Sequence, residues 1–179
     1  DYQHSKKHIE EALKHAETVL EKLIIYRLMT LIYIESESSE LVINAGFAAF
    51  ELCSIQISRE PTNLQVLKEV LLLKWELKNM TDEKLMNLPS IENKEMDVLI
   101  QIMIYVNSNT YRMNPNLSGM LFLKVFRLQL KYGATIESAM VYINYALLLI
   151  SGFNDIKQAL RFGKLALTLA DNQNSMVLK

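Results

Sequence analysis

Apolar residues recur every three or four positions along almost the whole chain, and nowhere do β-branched residues alternate with polar ones over a sustained run. The first pattern is the signature of helices that bury one face, and the second would have marked strands. Five glycines and three prolines in 179 residues leave too few tight turns for an all-β fold. The chain is therefore expected to be all-α. Half of its residues are apolar, which excludes general disorder. A net charge of −1 gives no overall field that would draw it to nucleic acid or to an anionic membrane.

The punctuation divides the chain into eight helices and one short helical turn. A first stripe runs from Ser5 to about Leu20, and a second helix from about Lys22 to Ile34. Glu35 to Ser39 breaks the pattern, and Ser39 is expected to cap a third helix reaching about Ile55. Thr62 with Gln65 has the spacing of a capping box, opening a helix to about Leu77 that contains Val66, Leu67, Val70, Leu71, Leu73 and Trp75. Thr81-Asp82-Glu83 starts the short turn, where acids suit the helix dipole. Ser90 is expected to begin the next long helix, and Asn114-Pro115 the one after it. Gly133 and Gly152 are placed as left-handed C-caps, with Thr135 capping the helix between them.

Small residues at offsets of 0, +4 and +7 occur three times: Ala12, Ala16, Val19; Val42, Gly46, Ala49; and Ala159, Gly163, Ala166. Each such trio lies on one helix face and would let a neighbouring backbone come close. Tyr26 and Tyr33, on the helix before the second trio, could fill the space the small residues leave. This is the logic of a tetratricopeptide hairpin, whose apolar face is hidden only when neighbours stack. By it, Gly163→Leu should destabilise by overpacking. The expected architecture is antiparallel helix hairpins stacked as an irregular, tetratricopeptide-like (TPR-like) right-handed superhelix. Residues 1–179 would form a single helical-repeat domain, a fragment of a larger multi-module protein.

No arrangement of residues points to catalysis, a cofactor or a metal. His4, His8, Glu11 and His15 form one stripe, but it is about 16 Å long at the helical rise, too long for one ion, and it lies off the apolar face. All histidines fall within the first 15 residues, so no Ser–His–Asp arrangement is visible. Glu10–Glu11 and Glu35–Glu37 are expected on exposed helix or loop. Gly163-Lys164 sits inside a helix, with Gln158 where the first glycine of a phosphate loop would be. Lys124, Arg127, Lys131 and Lys157, Arg161, Lys164 read as solvated basic faces without interleaved aromatics. Asn144, alone in an apolar helix, is expected to be a hydrogen-bonded core amide. Trp75, Tyr105 and Tyr111 are expected in the core. Cys53 is the one cysteine, which suits a reducing, cytoplasmic setting. The longest apolar run is far shorter than the about 20 residues that span a bilayer.

Four phrases go further: residues 41–57 (LVINAGFAAFELCSIQI), 64–89 (LQVLKEVLLLKWELKNMTDEKLMNLP), 114–151 (NPNLSGMLFLKVFRLQLKYGATIESAMVYINYALLLIS) and 155–171 (DIKQALRFGKLALTLAD). In that order they resemble the helical-repeat middle section of the large predicted signalling ATPases of bacteria. Proteins of that family join a kinase-like module, an AAA-type (STAND-like) ATPase, this helical section, a GAF sensor and often a histidine kinase. The resemblance covers about residues 22–171, with Val42 where such repeats usually carry alanine. It implies a non-catalytic scaffold or protein-interaction section, whose partners are other proteins or neighbouring modules of the same chain. The alternative is a small-molecule-sensing helical domain with a pocket between helices.

Overall fold

The computed structural model describes residues 2–177, and the side chains of residues 8, 9 and 11–172. Nine helices form among these residues: α1 Tyr2–His15, α2 Val19–Glu35, α3 Ser39–Leu52, α4 Asn63–Leu77, α5 Asp82–Met86, α6 Lys94–Thr110, α7 Pro115–Tyr132, α8 Ser138–Phe153 and α9 Ile156–Val177. No strand forms among them; a single parallel bridge joins Ser90 to Ala134. The all-α expectation holds, and α5 is the short turn that the acids after Thr81 announced.

Several helix ends differ from the expected ones, most of them where a local hydrogen bond wins. The first stripe does not run through to Leu20. Thr18 and Glu21 form a capping box, with Glu21 donating its N–H to Thr18 Oγ1 and Thr18 donating its own to Glu21 Oε2, so α2 starts at Val19. Those bonds, to the backbone of Thr18 and Glu17 above all, hold the Glu21 carboxyl below its ordinary pKa. Ser38, not Ser39, stands at the start of α3, without a side-chain cap. Asn93 caps α6 by accepting from the Met96 N–H at 3.0 Å, so Ser90 is free for the bridge. Thr135 lies before α8 in a turn that Ser138 closes by accepting the Thr135 N–H at 3.1 Å. Gly152 is still helical; Asn154 takes the left-handed C-cap at φ 50°. Thr62 and Gln65 do form the expected capping box at the start of α4.

The chain divides into two compact units, Asp1–Pro61 with Asn93–Ser118 and Thr62–Glu92 with Gly119–Lys179. In the first, α1 packs on α2, α2 and α3 form a hairpin, and α6 lies against both. Leu23, Thr30 and Tyr33 of α2 are buried, as are Val42, Gly46, Ala49 and Phe50 of α3 and most of α6 from Val98 to Val106. Gly46 is a true close approach, but to α6 rather than to α2: a Cβ there would overlap Val106 Cγ2. The loop after α3 is anchored by Arg59. Its guanidinium lies 4.5 Å over the Phe47 ring and donates to Asn44 Oδ1 at 2.7 Å, and its carbonyl accepts from Asn114 Nδ2 at 3.1 Å.

In the second unit, α8 and α9 form a hairpin and α5 touches α9. Its centre is aromatic. Phe126 of α7 lies 5.0 Å from Tyr142 and 5.8 Å from Phe162, ring centre to ring centre, while Tyr145 and Phe162 meet edge to face at 4.8 Å. Tyr142 donates its hydroxyl to the Leu85 carbonyl at 3.0 Å, tying α8 to α5. Burial pushes both Tyr142 and Tyr145 up to about 12, with Asp155 adding to the Tyr145 shift. Gly133, at φ 120°, lets the chain pass the Pro89–Ile91 backbone, where a Cβ would sit 2.5 Å from the Pro89 carbonyl oxygen. The adjoining Ala134 N–H donates to that same oxygen at 2.7 Å.

The small-residue logic of the α8–α9 hairpin is therefore corrected. Ala159 and Ala166 are buried, but a Cβ on Gly163 would meet nothing within 4 Å. Gly163 is thus not the point at which α8 and α9 approach, rings such as Tyr145 and Phe162 fill their contact, and Gly163→Leu would not overpack. The first trio is also undone, because Ala12 belongs to α1 and Val19 to α2, and both are exposed.

Candidate functional site

Helix α4 carries large apolar residues on both of its sides, so apolar spacing alone does not say which side is buried. Its inward face carries Val70, Leu73 and Leu77 together with two acids, Glu69 and Glu76. These acids are seven residues apart, so they lie on one side of the helix. Arg127 of α7 meets both. Its Nε donates to Glu76 Oε1 at 2.9 Å, its Nη2 to the same oxygen at 2.7 Å, and its Nη1 to Glu69. Lys124, one turn earlier on α7, reaches Glu69 at 3.2 Å. Glu69 is only 6% exposed, so two cations around it answer the cost of burying its charge. Hydrogen bonding to Glu76, reinforced by Glu69 and opposed by burial, holds the Arg127 guanidinium above its ordinary pKa. Lys124 and Arg127 are thus structural ion-pair partners, not a solvated face.

With its acids turned in, α4 turns its remaining large apolar residues out. Leu64 is 75% exposed, Leu71 59% and Trp75 74%, with Leu67 and Leu72 exposed to a lesser degree. Leu64, Leu67, Lys68, Leu71, Trp75 and Lys78 follow one another at helical spacing along this outer side. An open groove of about 530 Å³ lies against Leu64, Gln65, Leu67, Lys68, Leu71 and Leu72. Trp75 is thus an exposed residue and not a core one, and so is Tyr111.

Helix α8 repeats the arrangement without charge. Val141, Tyr142, Tyr145 and Leu149 face in, while Met140, Ile143, Leu147 and Ile150 lie exposed at offsets of 0, +3, +7 and +10. Asn144 belongs to this outer side. It is half-buried and donates to the Met140 carbonyl of its own helix at 2.8 Å, so it is not a core amide. In the first unit, Ile24, Leu28 and Leu31 of α2 are likewise exposed. Single exposed leucines are ordinary, but apolar stripes along whole helices are the mark of surfaces made to be covered.

The remaining candidates stay apart. His8, Glu11 and His15 are exposed on α1, and the side chains of His4 and Glu10 lie outside the described residues. No group of three His, Cys, Asp or Glu side chains converges as a metal site among the described residues. Arg161 is drawn from its basic stripe to Asp82 and to the Met80 carbonyl, the latter at 2.8 Å. Lys157 and Lys164 remain exposed, and Gly163-Lys164 lies within α9. Cys53 is half-buried, and burial raises its thiol pKa, which makes it a poor nucleophile at neutral pH. No helix among the described residues is long and apolar enough to cross a membrane. The chain matches no family model, and neither the curated proteins nor the solved structures gave a match.

Proposed function

We propose that this chain is a non-catalytic, TPR-like helical section of a multi-module signalling ATPase, acting as a scaffold and protein-interaction surface in the cytoplasm. The observation that carries the reading is the stripe of Met140, Ile143, Leu147 and Ile150 on α8, an apolar helix face left exposed among the described residues. A stacked helical array presents such faces wherever the next element has still to dock. The position of α6 against both members of the α2–α3 hairpin supports the same reading, since it is how one hairpin receives the next helix. Hairpins stacked in this way as an irregular right-handed superhelix would hold an ATPase and an output module at set spacing. The small-molecule alternative has less support: the α4 groove is open, and its polar lining among the described residues is Gln65 and Lys68.

The coding sequence on either side of this chain tests the placement. A phosphate-loop ATPase module upstream and a GAF or kinase module downstream are expected; flanks without either would overturn it. In that parent protein, Leu147→Glu with Ile150→Glu should uncouple ATP hydrolysis from the output while leaving the hydrolysis rate itself unchanged.

A further inference from the structure

We propose that the outer face of α4 is a docking site for an amphipathic helix whose apolar stripe is flanked by acidic residues. The inference rests on the protein-interaction reading above and names the chemistry of one partner.

The argument begins with charge. The two carboxylates of α4, Glu69 and Glu76, are turned inward and held by Arg127 and Lys124. The face left to solvent therefore carries Leu64, Leu67, Leu71, Leu72 and Trp75, with Lys68 among them and Lys78 at the end, and no acid of its own helix. Asn63 and Gln65, also exposed, are neutral. An apolar seam that carries lysines and no acid of its own helix attracts acidic flanks and repels basic ones.

Shape and composition agree. The groove of about 530 Å³ against Leu64, Leu67, Leu71 and Leu72 is open and apolar, which suits the side chains of a helix laid against it. Trp75 follows Leu71 by one turn on the same exposed face, and tryptophan is among the residues enriched at interface hot spots. Pairing two copies of the chain through this face would bring lysine towards lysine across a seam without compensating acids. A lipid surface wants a helix with a broad, cation-rich polar face, whereas the side of α4 opposite its stripe is packed in protein.

Trp75 is the one tryptophan of the chain, so its fluorescence reports this face directly. The probes are two synthetic helical peptides of about 18 residues, about 27 Å long. Both carry leucines at offsets of 0, +3, +7, +10 and +14 and contain no tryptophan; one has glutamates beside the seam, the other lysines. The glutamate peptide is expected to shift Trp75 emission to the blue in a saturable way and to bind about tenfold more tightly than the lysine peptide. Lys68→Glu combined with Lys78→Glu should reverse that order with an unchanged circular dichroism spectrum, since both side chains are exposed. No shift with either peptide, or equal affinity for both, would overturn the proposal. So would a blue shift that follows protein concentration without peptide, which marks self-association, or one that appears with anionic vesicles and not with peptide. The coding-sequence test of the scaffold reading is independent of all these outcomes.

Discussion

Gly46 and Gly163 look alike in the sequence, each flanked by small residues at helical spacing, yet they do opposite things. At Gly46 an added methyl runs into Val106, a fully buried and stiff β-branched side chain. At Gly163 it enters open space. Gly46→Ala is therefore expected to destabilise the chain by about 1–3 kcal/mol through overpacking, less the small helix-propensity gain. Pairing it with Val106→Ala should recover part of the loss. Gly163→Ala has only the propensity gain and should stabilise by about 0.5–1 kcal/mol. Thermal or urea unfolding of the two single variants checks this, and equal effects at the two sites would contradict it. The difference was not legible beforehand, because small-residue spacing shows that close approach is allowed and not that a neighbour takes it.

At the scale of the element, local signals were read correctly and long-range ones were not. The Thr62–Gln65 capping box placed the start of α4, since all of its bonds lie within one turn. The side of α4 that faces inward could not be read from apolar periodicity, because leucines occupy both sides. The usable signal was Glu69 and Glu76, two acids on the same side as Val70 and Leu73, but their partner Arg127 is some fifty residues away in sequence. On α8 the same ambiguity hid the outer stripe, and Asn144 belonged to it. The α8 hairpin is nevertheless testable through its ring cluster. Burial favours the neutral form of Tyr142 and Tyr145, raising both from the ordinary 10 to about 12 in the folded state. The unfolded chain thus loses these protons first, so stability is fully present below pH about 10 and falls as pH rises toward 12. Tyr142→Phe should flatten part of that fall. At neutral pH it should cost about 1 kcal/mol for the lost hydrogen bond to Leu85. An alkaline stability profile identical to that of the unsubstituted chain would contradict the assignment.

For the whole molecule, the helical class was legible because periodicity, capping and the scarcity of glycine and proline all pointed one way. What the chain leaves uncovered was not, because burial of a stripe depends on what arrives to cover it. Apolar faces on α2, α4 and α8 are open to solvent among the described residues. Acrylamide quenching of Trp75 in the isolated, dilute chain tests this most directly. Nearly unhindered quenching with water-like emission is the predicted result, as befits a side chain 74% exposed on the outer face of α4. A blue-shifted emission shielded from the quencher would mean that this face is already buried, and would contradict the account.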